Sequence, residues 1–320
     1  MLKIFKSSYK NWNTTTIEKD DLTLVLLPEV GGRIISMQWK GKELSFQQPE
    51  RLGKTEDLQS TDSLPEKKKQ MGFPLWGGDK TWLAPQFRWN DGVPFVDLDS
   101  GEYFLKIDKK TEEEIEVSMK SPICRETRIQ ITRTIKINSR EEGWQLTHEF
   151  LNTNSYIVQW GIWDVNMVLR PGKVYLPISK NSKFDEGIRT YKEEGESELI
   201  RDKVVKIYDD YAEINCSEET AFKFGSDSKE GWLMGVLETD KNNFIGYLKQ
   251  FETKENSAYA HESVCEVYNS NKYNYFEMEI HAPLVPIPPN KKVTFIENQK
   301  IFDLDSYPSS IEEIKSHFSF

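Results

Sequence analysis

The sequence predicts an all-β protein, built as one large antiparallel β-sandwich with a short C-terminal helix. More than a dozen short runs alternate between apolar and polar side chains, a period of two that is typical of strands with one buried face. Turn residues separate these runs at short intervals, and no helical stretches alternate with them, which disfavours a parallel sheet. The composition has no break that would divide the chain, so we expect a single domain over residues 1–320.

The predicted strands follow one another mostly as hairpins. The first hairpin joins residues 33–39 to residues 43–46 through Lys40, Gly41 and Lys42, a sequence typical of a tight turn. In chain order, strands are expected at residues 22–27, 33–39, 43–46, 103–107, 114–119, 128–137, 144–150, 157–169, 203–207, 211–214, 231–238, 244–251, 263–268, 273–280 and 292–302.

Between the strands, residues 47–71 are rich in charge, serine and proline, and we expect a long loop there. Helical structure is predicted at the C-terminus alone. Ser310 followed by Glu313 forms a capping-box pattern, and Ile311, Ile314 and Phe318 then recur at helical spacing.

Charge and cysteine content exclude several classes of function. The formal net charge of −10 at pH 7 opposes binding to nucleic acid or to an anionic membrane, because phosphate groups would be repelled. No stretch approaches the roughly 20 apolar residues of a membrane helix, and charge interrupts the N-terminus before a signal peptide forms, so we expect a cytoplasmic protein. Cys124, Cys216 and Cys265 have neither metal-ligand spacing nor a disulfide pattern. We expect no cofactor and no metal, although a divalent ion stays open because ligands could come from Asp79, Glu277, Glu279 and His281.

Residues 273–281 separate two kinds of side chain on the two faces of one strand. One face is apolar and is expected to point to the core: Phe276, Met278 and Ile280. The other face carries Tyr273, Tyr275, Glu277, Glu279 and His281. Carboxylates beside aromatic rings suit a polyhydroxylated ligand, since carboxylates accept hydrogen bonds from hydroxyls and rings stack on C–H faces. The alternative is the solvent face of an antiparallel strand, which also carries Glu, Tyr and His.

A second candidate segment covers residues 71–95, MGFPLWGGDKTWLAPQFRWNDGVPF. Trp76, Trp82 and Trp89 lie there among glycines, Asp79 and Lys80. Indole N–H groups need partners when buried, and loops that carry such groups are often functional. The alternative is an ordered loop that closes one end of a sandwich.

Three segments together resemble the galactose mutarotase-like superfamily, which includes the aldose epimerases. Residues 24–36 read LVLLPEVGGRIIS and are followed by GKEL at residues 41–44, similar to the family's opening strand, glycine pair and hairpin. Residues 76–82, WGGDKTW, are similar to its second active-site stretch. Residues 275–279, YFEME, before Pro283 resemble the strand that bears its essential glutamate.

This resemblance implies a β-supersandwich with a carbohydrate pocket and acid–base chemistry at the anomeric centre. A glutamate removes the proton of the anomeric hydroxyl while a histidine protonates the ring oxygen, so the sugar ring opens and closes again. By motif, the base is Glu277, with Glu279 as its rival, and Arg33 contacts sugar hydroxyls. The remaining residues that we assign to substrate binding are Trp76, Asp79, Lys80, Trp82, Trp163, Tyr275 and His261.

The chain departs from the family at both histidines. Where mutarotases read Leu-His-Gly-Gly, this chain has Trp76 before its two glycines, and the second histidine position corresponds to Trp163. An indole cannot act as a general acid. His281, His261 or a desolvated Lys80 could replace the missing acid.

Two functions therefore stay open. One is an aldose epimerase-like or mutarotase-like isomerase with an unusual acid, and the other is a non-catalytic carbohydrate-binding protein that keeps the pocket. A glycoside hydrolase is a weaker third possibility, because Glu277 and Glu279 lie on one strand, whereas that reaction usually places its carboxylates on opposing walls.

Overall fold

A computed structural model of the chain describes residues 1–58, 63–240 and 243–318. The strands of its first half are β1 Leu2–Tyr9, β2 Trp12–Lys19, β3 Leu22–Leu27, β4 Arg33–Trp39, β5 Lys42–Glu43, β6 Asp79–Ala84, β7 Phe104–Lys110, β8 Glu114–Lys120, β9 Ile129–Asn138, β10 Trp144–Asn152 and β11 Val158–Leu169. The later strands are β12 Gly172–Pro177, β13 Arg189–Gly195, β14 Val205–Ile207, β15 Tyr211–Asn215, β16 Phe222–Ser226, β17 Trp232–Asp240, β18 Asn243–Phe251, β19 Cys265–Asn269, β20 Tyr275–His281, β21 Val285–Ile287 and β22 Lys292–Leu304. The helices are α1 Leu64–Met71, α2 Val96–Asp99, α3 Ser197–Val204 and α4 Ile311–Lys315.

These strands form two antiparallel sheets, of 12 and 10 strands within the described ranges. The first sheet has the order β1-β2-β3-β4-β6-β11-β20-β19-β16-β13, with β5 paired to β4 and β21 paired to β11. The second has the order β14-β15-β12-β17-β18-β22-β10-β9-β8-β7. Apolar side chains from both sheets pack into one large core, which confirms the predicted all-β sandwich.

Helical structure is more extensive than the sequence predicts. Helix α4 is confirmed, and Glu313 N donates to Ser310 Oγ at 3.2 Å, as its capping pattern indicates. The prediction of no other helix is wrong. Helix α1 lies within the predicted loop and begins with a capping box, in which Glu66 N donates to Ser63 Oγ at 3.4 Å and Ser63 N donates to Glu66 at 3.1 Å. Residues 59–62 of that loop lie outside the described residues.

Several strands also differ from the prediction. Residues 203 and 204, predicted as strand, end helix α3, and β14 begins only at Val205. Seven strands were not expected at all, namely β1, β2, β6, β12, β13, β16 and β21. None of the described helices is long and apolar enough to cross a membrane.

The centre of the core carries charges that link the two sheets. Arg133 of β9 forms an ion pair with Asp79 of β6, and its guanidinium lies 3.7 Å from Asp164 of β11. Lys249 of β18 forms an ion pair with Asp164, and its ammonium is 3.6 Å from Glu297 of β22. All five side chains are fully buried, so the charged groups depend on one another for partners, and the pairs of Arg133 with Asp79 and of Lys249 with Asp164 join the two sheets. We call these five residues the inter-sheet network.

Candidate functional site

Strand register assembles the candidate site on the face of the first sheet that points away from the second. On β20, Phe276, Met278 and Ile280 join the apolar core, so Glu277, Glu279 and His281 project from the opposite face. Neighbouring strands add to this face, because Glu277 lies opposite Met167 of β11 and Tyr268 of β19. The predicted separation of the two faces of this strand is confirmed.

A cavity of about 460 Å³ opens on this face, within the size range of small-molecule sites. Its apolar wall consists of Phe73, Leu75, Trp82, Trp163 and Met167. The other lining residues are polar or charged: Gln48, Glu50, Arg51, Gln86, Glu194, Lys223, Tyr268, Ser270, Lys272, Tyr273, Tyr275 and Glu277. Rings beside carboxylates, amides and hydroxyls give a surface that suits a polyhydroxylated molecule.

Glu277 reaches this cavity from β20 and is paired with a buried lysine. Its Oε1 atom lies 3.5 Å from Nζ of Lys80, which projects from β6 on the same face. The Lys80 ammonium lies 4.2 Å from the ring centroid of Trp82 and makes no hydrogen bond to any described residue. Burial lowers the pKa of Lys80, and the Glu277 carboxylate opposes this shift. A partly compensated cation therefore lies directly behind the cavity wall.

Lys223 of β16 forms a second charged group beside the first. Its Nζ lies 2.7 Å from Glu266 and 2.9 Å from Glu279. Burial alone would lower the pKa of Lys223, but these two carboxylates outweigh it and raise the pKa well above its usual value. Glu279 also accepts a hydrogen bond from Trp163 Nε1 at 2.9 Å, and its burial raises the pKa of its carboxyl. Glu279 is thus occupied by protein partners, whereas Glu277 faces the cavity.

The two histidines assigned to the site lie behind Lys223. His281 is fully buried, packs on the Trp163 ring at 5.4 Å between centroids, and has Nε2 3.2 Å from Glu266. Burial lowers the pKa of His281 to about 4. His261 accepts a hydrogen bond from Gln86 N at 3.0 Å on Nε2 and lies 3.2 Å from Glu266 through Nδ1. Neither imidazole lines the cavity that holds Glu277.

Besides Lys80 and His261, three further residues assigned to substrate binding do not line the cavity. Arg33 is buried and donates to Asp99 Oδ1 at 2.6 Å and to the carbonyl oxygen of Gly77 at 3.0 Å. Trp76 is buried in a separate apolar cluster, with its indole N–H bound to Ser100 at 2.9 Å. Asp79 alternates with Lys80 along β6, so its side chain points inward to the inter-sheet network instead. These three assignments are corrected to structural roles.

The sequence prediction missed other lining residues, above all Glu194 and Lys223. Both lie on strands that were not predicted, β13 and β16. Burial raises the pKa of Glu194, and the neighbouring Glu193 and Glu277 carboxylates raise it further against the opposing charge of Lys223. The run around Lys223 does carry a signal, since Phe222 and Phe224 alternate with it as a strand would require.

Among the residues that the structure describes, two groups of side chains have the spacing of metal ligands. The first is His261, Glu266 and His281. Because the Gln86 amide donates to Nε2 of His261, the neutral ring carries its proton on Nδ1, so an N–H group faces Glu266 there. This tautomer does not fit a metal ligand.

The second group is His148, Asp164 and Glu297. His148 is held by Thr81 at 2.8 Å and by Glu297 at 2.9 Å, and the Lys249 ammonium already lies against Asp164. Both ring nitrogens of His148 are thus engaged by protein partners, so His148 has the structural role of a satisfied core histidine.

Comparison with known proteins identifies the fold. No family model matches the sequence, and no curated protein matches it. A protein from Synechocystis sp. PCC 6803 superposes with a TM-score of 0.58 at 13% identity, over 93% of this chain and 99% of that one. A galactose mutarotase-like protein from Clostridium acetobutylicum also gives a TM-score of 0.58, at 11% identity over 95% of this chain and 99% of its own. Another from Lactobacillus casei gives 0.51 at 7% identity, over 90% and 100%.

The chain therefore has the galactose mutarotase-like fold, as its three motifs predict. At these identities the similarity concerns the fold alone, so function has to be argued from the cavity.

Proposed function

We propose that this protein binds a carbohydrate in the cavity beside Glu277 and catalyses acid–base chemistry at its anomeric centre. The observation that carries the proposal is the Glu277 carboxylate, which lines the cavity between tyrosine rings and has a buried ammonium 3.5 Å behind it. A general base must reach its proton from a fixed position, and a strand in the middle of a sheet provides that position. The shared fold with proteins named galactose mutarotase-like agrees with this class of ligand.

In the proposed reaction, Glu277 accepts the proton of the anomeric hydroxyl, and an acid donates a proton to the ring oxygen. The ring C–O bond breaks, the carbonyl group rotates, and ring closure on its other face returns both protons. Trp82 and Trp163 line the same cavity and would stack on the apolar face of the sugar. General acid–base assistance of this kind contributes roughly 10²–10⁴-fold to the rate.

For the acid we propose Glu194 in place of His281. Glu194 lines the cavity, and burial raises the pKa of its carboxyl, which keeps more of it protonated near neutral pH. His281 lies outside the cavity lining, and with a pKa of about 4 its ring is neutral at pH 7 and lacks the acidic second ring proton of an imidazolium. Two carboxyl groups with different environments would then share the acid and base roles.

A non-catalytic carbohydrate-binding protein is the second candidate. It is favoured by the absence of any histidine among the described residues that line the cavity. In that case Glu277 would accept hydrogen bonds from sugar hydroxyls without removing a proton, and the sugar would leave unchanged.

The first experiment is ligand-detected NMR with a panel of neutral and phosphorylated monosaccharides. Saturation transfer reports binding, and exchange between anomer signals reports catalysis in the same sample. We expect accelerated exchange with the native chain and a loss of at least about 100-fold in Glu277→Gln, with binding largely retained. Glu102→Gln is the matched control, because Glu102 is an exposed glutamate outside the cavity lining, and the exchange rate of this variant should stay close to native.

The two candidates predict different results. Saturation transfer without accelerated exchange would support the binding protein and reject the enzyme. The absence of both signals for every sugar would reject both candidates. Accelerated exchange that survives Glu277→Gln would reject Glu277 as the base.

A further inference from the structure

A second cavity, of about 550 Å³, adjoins the one described above. The two cavities have Gln86, Glu194 and Lys223 in common as wall residues. Glu194 and Lys223 thus stand at the junction of one two-lobed cleft, with Glu277 in the first lobe. A single sugar ring bound at Glu277 would leave the second lobe open to solvent.

The second lobe has the chemical character of a carbohydrate subsite. Its rings come from Phe87, Tyr191, Tyr259 and His261, and its aliphatic groups come from Pro85, Ala260 and Leu284. Phe87 is the most unusual of them, because it is 81% exposed although it lies in the wall of the cavity, next to the shared wall residue Gln86. An aromatic ring left in water at the edge of a cleft is typical of a surface that another molecule covers.

Planar charged groups lie beside these rings. The Arg189 guanidinium is 4.4 Å from the Tyr191 ring centroid and 3.2 Å from the Glu262 carboxylate. Such a pair offers both donors and acceptors to hydroxyl groups, while Phe87 and Leu284 offer an apolar surface. A sugar ring has both features, a C–H face and a rim of hydroxyls, whereas an apolar group would leave the ion pair unused.

We propose that the second lobe is a subsite for a second sugar ring, so that the ligand is a reducing disaccharide or a longer oligosaccharide. This proposal rests on the proposed function, because it places the reducing end, with its free anomeric hydroxyl, at Glu277. The next ring then passes Glu194 and Lys223 and stacks on Phe87 in the second lobe.

The test compares each monosaccharide with a disaccharide that has the same reducing unit. The probes are glucose with maltose, cellobiose and gentiobiose, galactose with galactobiose, and mannose with mannobiose. Dissociation constants come from calorimetry, and anomer exchange comes from NMR. We expect one disaccharide to bind at least about tenfold more tightly than its monosaccharide, since tenfold corresponds to about 1.4 kcal/mol, within the range of one aromatic contact.

The variant Phe87→Ala separates the two lobes. We expect it to remove most of the advantage of the disaccharide and to leave the affinity for the monosaccharide unchanged. Phe104→Ala is the matched control, because Phe104 is also strongly exposed, at 71%, but lies on β7 of the other sheet. Both side chains are exposed, so both variants should have the same unfolding temperature as the native chain, and a thermal scan verifies this.

The outcomes distinguish this inference from the proposed function. Monosaccharide binding with no gain for any disaccharide would overturn the second subsite and leave the proposed function standing. A gain that survives Phe87→Ala would also overturn it. If no sugar of either length binds, both proposals fail together.

Discussion

His281 illustrates how burial decides the chemistry of a single residue. The sequence places it correctly on the face that carries Glu277, because residues of equal parity on a strand share a face. The alternation does not indicate that the far end of this strand is covered, since that depends on Glu266 and Trp163 from other strands. The direction of the side chain was therefore predictable, but its access to the cavity was not.

The buried imidazole leads to a prediction at the residue scale. The pKa of His281 is about 4 in the folded chain, against about 6.5 when unfolded, so the unfolded chain binds more protons between these values. His281 therefore costs stability as the pH falls through this window and costs none above it. Glutamine does not titrate, so the His281→Gln variant does not bear this cost. As the pH falls from 7 to 5, the free energy of unfolding of His281→Gln minus that of the native chain should rise by about 2 kcal/mol.

Urea unfolding followed by tryptophan fluorescence at several pH values checks this prediction. His317→Gln is the control, because His317 is only partly buried near the C-terminus and should show a smaller dependence on pH. A difference between native and His281→Gln that does not change with pH would contradict the neutral buried imidazole.

At the scale of elements, β6 shows where sequence periodicity fails. All six of its residues are buried, with Asp79 and Thr81 facing the interior and Lys80 and Trp82 facing the cavity side. Charged residues on both faces hide the period of two, so the sequence indicates a glycine-rich loop here. The charges are stable in the strand because each has a partner on another strand, which sequence alone does not reveal.

The start of β6 leads to a prediction for this element. Gly77 has φ +100°, and a β-carbon there would overlap the carbonyl oxygen of Phe46. Gly41 has φ +78° with nothing near its β-carbon position, so both glycines avoid backbone strain but only Gly77 also permits a close approach. Gly77→Ala should therefore lower the free energy of unfolding by about 1–3 kcal/mol more than Gly41→Ala. Equal losses of unfolding free energy in urea titrations of the two variants would show that the close approach of Gly77 to Phe46 does not contribute to stability.

At the scale of the whole molecule, the inter-sheet network links the sheets through charge. Lys249 is fully buried between Asp164 and Glu297, and its removal leaves their carboxylates without their cation. We expect Lys249→Met to lower the free energy of unfolding by about 3–5 kcal/mol, because removing one member of a buried ion pair leaves the other charge buried and uncompensated. The pair of the exposed Lys109 with the partly buried Glu114 at the surface serves as the control, and Lys109→Met should change stability little. Similar stabilities for the two variants would contradict a structural role for the network.

The sequence predicts the sandwich and several of its hairpins, because alternation and turn residues are local signals. It does not predict the order of strands in the sheets, which brings residues far apart in sequence into contact. Glu194 and Lys223 meet Glu277 only through the neighbouring positions of β13, β16, β19 and β20. The candidate site was therefore predicted on its central strand and missed on the strands beside it.

The alternation of Asp79 and Lys80 also restricts how this protein can evolve. Insertion or deletion of one residue within β6 would carry Lys80 inward to Arg133 and Lys249 and turn Asp79 toward the cavity. We therefore expect the length of β6 to be constant among relatives, because a single insertion or deletion would damage both stability and ligand recognition. Relatives with new specificities should differ in the segments at residues 48–51 and 86–88, which line the cleft outside the sheets. Diversification of this cleft is expected to proceed through its loops while the strands keep their length.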